Sequence, residues 1–375
     1  MPIQFHGSPR PTLGVECELQ VIDPQTRQLA PGVPAILQRF GPDEQRFKPE
    51  LIRSNIEMIT GICNNVDDVR RDLTERLAIL MKVCDELGYQ LAGAGTHPFS
   101  LWSEQLISEN QRYLHLVERF AWAVRRLTIF GLHVHVGVEN GEKAIAIVNT
   151  LTNYLPHLLS LSSSSPFWVG QDTGLYSSRV KIFELLPLAG LPHRLVNWSE
   201  FQRFMRVLLA AKTIETVREI WWDVRPHPGL GTVEIRICDM LPRLSDVIAI
   251  TALIQSLVVW IGNQYDAGEE PKWLPAWVIG ENKWRAARYG PDAEIIDNDR
   301  GHLCKLSEDI VRLTELLMPT AQRLECAHEL ARVPEILKVG PSTKRQRSIF
   351  AATHSFPAVV DALVLELRHD EAIRA

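Results

Sequence analysis

Cysteine is scarce in this chain and unpatterned. The six in 375 residues (Cys17, Cys63, Cys84, Cys238, Cys304, Cys326) show no CxxC spacing, which argues against a disulfide frame or a zinc knuckle and reads as reduced thiols serving as small buried hydrophobes. A basic tract is also missing. The 40 Lys+Arg are dispersed against 45 Asp+Glu, for a net charge of -5, so nothing is arranged to follow a nucleic-acid backbone. The most apolar stretch, Val247 to Ile261, is interrupted by Thr251, Gln255 and Ser256 and falls short of the roughly 20 residues that span a bilayer. The opening MPIQFHGSPRPTLG has neither the basic nor the apolar part of a secretory signal, so the expectation is a cytoplasmic protein. There is no repeat with a period on the order of 20–50 residues, and no low-complexity segment beyond Ser162 to Ser165. Walker, kinase-type and G-x-S-x-G motifs are absent. Any nucleotide must therefore be held by another scheme, and no serine or cysteine nucleophile is marked.

The composition that remains is globular, 46 % hydrophobic and 23 % charged. The length suits two domains or one large one; the reading adopted is one domain over 1–375 with a mainly helical part from about 300. Apolar residues at helical spacing predict helices over Val66 to Leu87, Leu244 to Tyr265 and Asp309 to Ala331. Asn64 and Asn65 are placed to cap the first, with Asp67 and Asp68 in its opening turn and Gly88 at its end. Loops are expected at Gln28 to Pro34, Trp221 to Gly231 and Ala267 to Pro275.

Strand-like segments carry the chemistry. Period-2 alternation in Thr12 to Val21 sets Val15, Cys17, Leu19 and Val21 against Glu16, Glu18 and Gln20. In Gly131 to Val138 it sets Leu132, Val134, Val136 and Val138 against His133 and His135, and in Thr232 to Asp239 it sets Val233, Ile235 and Ile237 against Glu234, Arg236 and Cys238. Leu51 to Gly61 is less regular, yet Glu57 falls on its more polar side. Such strands predict an α+β fold: a mainly antiparallel sheet with helices on its apolar face and a site on the other.

Taken singly, Glu16-x-Glu18 could be a solvated strand face, His133-x-His135 a hydrogen-bonded core pair, and Glu234-x-Arg236 an ion pair. Together they put carboxylates and imidazoles on one side of several strands, and carboxylates crowded in a cavity need cations. Oxygen-rich sets with an occasional imidazole favour Mg2+ or Mn2+ over structural Zn2+. Metal-bound phosphate follows, and guanidinium forks lie close in sequence: Arg225 in the Pro-stiffened Trp221 to Gly229 segment, and Asn282, Arg285 and Arg288 on one helical face. The glycine-rich turn Gly93 to Pro98 either shapes the cleft or only turns the chain.

Six ordered motifs, GVECELQVID, GTHPF, GLHVHVGV, LPHLLSLSSSSPFW, WWDVRPHPGLGTVEIRICD and ENKWRAARYG, resemble the carboxylate-amine ligase family, also called glutamate-cysteine ligase type 2. The resemblance implies a fold related to the catalytic domain of glutamine synthetase, an antiparallel funnel holding ATP and divalent metals. It implies ATP-dependent amide-bond formation, described as weak glutamate-cysteine ligase activity, on small-molecule substrates and in a possible homo-oligomer. Glu16, Glu18, Glu50, Glu57, His133 and Glu234 resemble the metal set, with His135 beside them, and Arg236 resembles the phosphate-binding arginine. Cys17 departs from the family pattern but lies on the apolar face by parity. Catalytic roles fall to Arg236, Arg225 and Glu57, and ATP contacts to Arg225, Arg236, Asn282, Arg285 and Arg288. The competing reading is a metal-dependent amide or ester hydrolase that works without ATP; a non-catalytic metal- or nucleotide-binding protein is a third.

Overall fold

A computed structural model of the chain describes residues 3–269 and 273–370. The alternation in Leu13–Ile22 produces strand β1, with Val15, Cys17, Leu19 and Val21 fully buried on one face. After it come β2 (Phe47–Pro49), β3 (Asn55–Ile59), β4 (Gln90–Ala92) and β5 (Leu132–Gly137). A small separate hairpin is formed by β6 (Phe167–Trp168) and β7 (Gln171–Asp172), then follow β8 (Val224–His227) and β9 (Thr232–Ile235), and β10 (Glu294–Ile296) pairs with β11 (Leu303–Lys305) in another. The main sheet has the order β2-β3-β1-β5-β9-β8, with β4 joined to the last residues of β1. All its pairings are antiparallel.

Helices Val66–Glu86 and Leu244–Asp266 cover the apolar face of this sheet. The first starts where Asn65 accepts a hydrogen bond from the Asp68 amide at 2.9 Å and stops before Gly88 at φ +76°, as capping rules require. Leu244–Asp266 is long and apolar enough to cross a membrane by length and composition, longer than the run read from sequence, but most of it is buried inside the protein. Its apolar character on nearly every side is that of a central core helix. Burying each Val, Leu or Ile contributes roughly 1.5–3 kcal/mol, and the sheet's back face is made mostly of such residues.

Three expectations need correction. Trp221 to Gly231 is not a loop throughout: Val224–His227 is strand β8, paired with β9. Pro226 hides the strand in sequence, and it is tolerated because β8 lies at the sheet's edge, where a missing N–H breaks no ladder. The helix expected over Asp309 to Ala331 runs instead over Leu306–Arg323 and breaks at Glu325, whose φ of +59° cannot continue it, before the short Ala327–Leu330. The loop expected at Gln28 to Pro34 ends early, since a helix begins at Val33 with Pro34 in its first turn. Of the loop expected at Ala267 to Pro275, positions 270–272 lie outside the described residues. Among the described residues, the chain beyond 305 is mainly helical, closing with Val333–Val339, Ser342–Thr353 and Phe356–Arg368.

Candidate active site

The sheet's other face holds the polar side chains in rows set by strand register. Lys48 stands opposite Glu57 and Glu57 opposite Glu18; Glu16 stands opposite His133; Arg225 stands opposite Glu234 and Glu234 opposite His135. Directly opposed residues lie about 4.5–5.5 Å apart at Cβ, so parity and register alone gather groups from six strands. They line one cavity of about 380 Å³, together with Glu50, Asn55 and Arg236. Its walls come from helices Gln111–Arg125 and Arg179–Phe183 and from the Arg218 turn.

The electrostatics of the floor are unbalanced. Burial pushes the Glu18 carboxyl up to about 7, helped by the negative Glu50 nearby. Glu57 is driven well above the usual carboxylate range by burial and by Glu16, Glu50 and Glu18, and burial also raises Glu50. Burial would raise Glu16 too, but the imidazoles of His133 and His135 hold it well below that range. Their ring nitrogens lie 3.1 Å (His133 Nδ1) and 3.4 Å (His135 Nε2) from its oxygens. Burial and the neighbouring Arg236 bring His133 down to about 4, whereas His135, despite burial, is raised by Glu234 and Glu16. The ring is oriented by a 3.0 Å contact of its Nδ1 with the Thr232 hydroxyl.

This donor set fits divalent cations. One atom each from Glu16, His133 and Glu234 can meet within 4.8 Å, and so can one each from Glu18, Glu57 and His133. The Nε2 atoms of His133 and His135 are buried without a hydrogen-bond partner, and three of the carboxylates resist ionisation for want of positive charge. Oxygen ligands with one or two imidazoles suit Mg2+ or Mn2+.

The arginines divide. Arg225 gives Nε to Glu234 Oε2 at 2.7 Å and Nη2 to Oε1 at 3.2 Å, while Nη1 donates to the carbonyls of Ile220 (2.7 Å), Arg218 (3.2 Å) and Val217 (3.3 Å). A guanidinium so engaged has no fork left for phosphate, which corrects the expectation for Arg225: it orients Glu234. Arg236, which lines the cavity, also donates to Glu234 through Nη1 but keeps a buried, unpartnered Nε. With both guanidiniums beside it, Glu234 is held well below the carboxylate range although burial opposes this.

Asn282, Arg285 and Arg288 are not at this site, a second correction. Asn282 exchanges two hydrogen bonds of 2.8 Å with the Ile296 backbone. Arg285 pairs with Glu281 at 2.7 Å and donates to the Glu294 carbonyl, and Arg288 donates to the Gly174 carbonyl. Each face residue fastens helix Ala276–Tyr289 to a neighbour instead of facing the cavity. The Gly93 to Pro98 turn serves packing: a Cβ on Gly95 would stand 2.7 Å from an Asp239 carboxylate oxygen. All six cysteines are free, and Cys17 is buried on the apolar face.

Sequence reasoning missed Lys48, Arg112, Arg179 and Arg218, which line the cavity. Lys48 was the findable one, since it sits two residues before Glu50 and opposite Glu57; the others come from segments without strand periodicity.

An antiparallel sheet whose polar face gathers carboxylates, imidazoles and arginines, with a helical back layer, is an α+β fold. The model of the glutamate-cysteine ligase family 2 matches residues 12–361. "Putative glutamate--cysteine ligase 2-1" of Frankia alni is 47% identical over 373 residues, covering 98% of each chain. The Thermobifida fusca protein of the same name without the final digit is 46% identical, over 98% of this chain and 94% of its own. This chain belongs to glutamate-cysteine ligase family 2. Among solved structures, the glutamate–cysteine ligase of Francisella tularensis in complex with AMP superimposes with a TM-score of 0.72 at 12% identity, covering 98% of this chain and 91% of that one. A bifunctional glutathione synthetase from Pasteurella multocida gives 0.71 at 14% identity, over 96% of this chain and 52% of its own. The α+β fold expected from strand alternation is the one found.

Proposed function

We propose that this chain is an ATP-dependent carboxylate–amine ligase that joins L-glutamate to L-cysteine, forming γ-glutamylcysteine, ADP and phosphate. The observation that carries the reading is the continuous row of Glu16, His133, His135, Glu234 and Arg236 on the open sheet face, metal donors and an anion donor side by side. Family membership supplies the reaction class, and the relatives' name supplies the two amino acids. The hydrolase alternative finds no support in the family or the fold.

Glu16, His133 and Glu234, and Glu18, Glu57 and His133, would hold the divalent ions, with Glu50 and His135 in reach as further ligands. Bound there, Mg2+ would neutralise phosphate charge and the crowded carboxylates. The chain's own part is electrostatic and positional. Arg225 fixes the Glu234 carboxylate in one orientation, and Thr232 does the same for His135. The Nε of Arg236, buried with no hydrogen-bond partner, would be free to donate to a phosphate oxygen. No side-chain nucleophile is required: a γ-carboxylate oxygen of glutamate bonds to the γ-phosphorus as the bond to ADP breaks. The neutral amine then forms the C–N bond, the C–O bond breaks, and phosphate departs with that oxygen and the amine proton.

The test is product analysis with ATP, Mg2+, cysteine and glutamate labelled with 18O in its γ-carboxylate. Equal ADP, phosphate and amide, with label in the phosphate, is expected. AMP and pyrophosphate, or unlabelled phosphate, would overturn the acyl-phosphate route.

A further inference from the structure

We propose that Arg179 is a catalytic anion ligand that grips the phosphoryl group during its transfer, and that Gly131 is bare so that Arg179 can reach it. The identity of the anion rests on the ligase reading; the site itself rests on geometry. Arg179 opens the helix Arg179–Phe183 and is only 3% exposed, yet among the described residues it forms no ion pair. Its Nη1 donates to the carbonyls of Arg236 and Ile237, both at 3.3 Å, its Nη2 to the Arg236 carbonyl at 3.4 Å, and its Nε is buried with no partner. Glu18 and Asp239 lie near enough to feel its charge, but long bonds to neutral carbonyls leave the guanidinium without a direct anionic partner, and arginine is almost never buried in that condition.

The guanidinium lines the same cavity as Glu18, His133 and Arg236. A Cβ on Gly131 would stand 2.2 Å from Arg179 Nη2 and 2.9 Å from His133 Nε2. The Gly131 amide, meanwhile, donates to the Glu18 carboxylate. The residue just before Leu132-His133 is thus where an arginine, a metal-type histidine and a metal-type glutamate converge, and a single methyl group would part them. The approach is held from behind by the serine run, whose role the sequence left open. Ser165 Oγ accepts the Arg179 amide at 3.1 Å and donates to Asp239 at 2.6 Å; Ser177 donates to the same carboxylate at 2.8 Å.

A phosphoryl group is the anion of choice here over a carboxylate. Arg236, with its own free Nε, lines the same wall, and two guanidiniums addressing one ligand call for more than one negative charge and several acceptor oxygens. As the bond from the γ-phosphorus to ADP breaks and the bond to the donor carboxylate forms, Arg179 donates to the non-transferring oxygens; no proton moves.

The experiment compares wild type with Arg179→Ala, Arg179→Lys and Gly131→Ala, each checked for folding by its melting curve. It measures ADP release and, separately, calorimetric binding of inorganic phosphate in the presence of Mn2+. Arg179→Ala should lower kcat by about 10²–10³-fold with a far smaller change in KM for glutamate, and should weaken phosphate binding at least about tenfold. Arg179→Lys, folded and still charged, should fail to restore either because it lacks the planar fork. Gly131→Ala should lose phosphate binding while keeping the arginine, and millimolar guanidinium should raise turnover in Arg179→Ala but not in Gly131→Ala. Wild-type phosphate affinity in Arg179→Ala, or full turnover in Arg179→Lys, would overturn the assignment. If wild type turns over and phosphate binding ignores Arg179, this site falls and the ligase reading stands. If wild type releases no ADP yet Arg179→Ala abolishes phosphate binding, the site stands and the ligase reading falls.

Discussion

Two polar surfaces of this protein look alike in sequence and behave oppositely in three dimensions. On the open face of the sheet, charged groups are buried and left short of partners: Glu18 is raised by burial and Glu50, Glu57 by burial and by Glu16, Glu50 and Glu18, and His133 Nε2 and Arg236 Nε have no hydrogen-bond partner. On helix Ala276–Tyr289 the charged and amide side chains that could mimic a site, Asn282, Lys283, Arg285 and Arg288, are all spoken for. Asn282 is doubly bonded to Ile296, and Lys283, 2% exposed, lies 2.5 Å from Asp223 and 2.7 Å from Glu184. The difference teaches that charge type and spacing do not separate a binding surface from a strut. What separates them is whether the fold itself completes the hydrogen bonds and neutralises the charge.

That contrast can be broken by substitution. The largest effect is expected for Glu234→Ala, which strips the shared partner from Arg225 and Arg236: turnover should vanish and stability should drop by about 3–5 kcal/mol, read by ADP release and denaturant unfolding. Lys283→Met should cost a similar amount of stability, leaving Asp223 and Glu184 uncompensated, while turnover per folded molecule suffers much less than in the Glu234 variant; equal losses would erase the distinction between the two surfaces. Glu16→Gln should weaken Mn2+ binding at least about tenfold in calorimetry and, in chelator, also lower the melting temperature, because the imidazoles of His133 and His135 lose the carboxylate they hold ionised. Unchanged Mn2+ affinity would remove Glu16 from the ligand set.

Two smaller effects sharpen the strut side. A hydrogen bond from His157 at 2.8 Å, opposed by burial, holds Asp309 at about 2. Its folded value is below the unfolded one, so this contribution is complete above about pH 4, and it is lost as pH falls toward 2. The melting-temperature gap between wild type and Asp309→Asn should therefore be widest near neutrality and close over that acidic window; a constant gap would refute the linkage. Arg285→Ala should change stability by less than about 1 kcal/mol and leave turnover intact, since its pairing with Glu281 is half-exposed.

Much of the site was legible because strand parity is a strong code. Glu16, Glu18, His133, His135 and Glu234 each alternate with residues that are almost fully buried, so their shared face follows from period 2 alone. Glu57 was readable but blurred, because β3 is only five residues long and its flanks are irregular. Glu50 had no local signal and came from the family resemblance. Arg179 was invisible: its function arises from a non-local approach over Gly131, across 48 positions of chain, which no periodicity records. Asn282, Arg285 and Arg288 were read as one helical face, which they form, but the face was misassigned because its partners, such as Ile296 and Gly174, are set by tertiary packing.

Both outermost strands of the main sheet, β2 and β8, are short and contain a proline, Pro49 and Pro226. A strand end without its full set of amide donors is a poor template for a passing chain. The sheet that presents the site is therefore insulated against growing sideways into a neighbouring molecule, by ladder extension or by the runaway stacking that open sheets invite. Self-association, where it occurs, is steered toward helical surfaces, and a crowded polar face with unmet hydrogen bonds can be displayed without seeding aggregates.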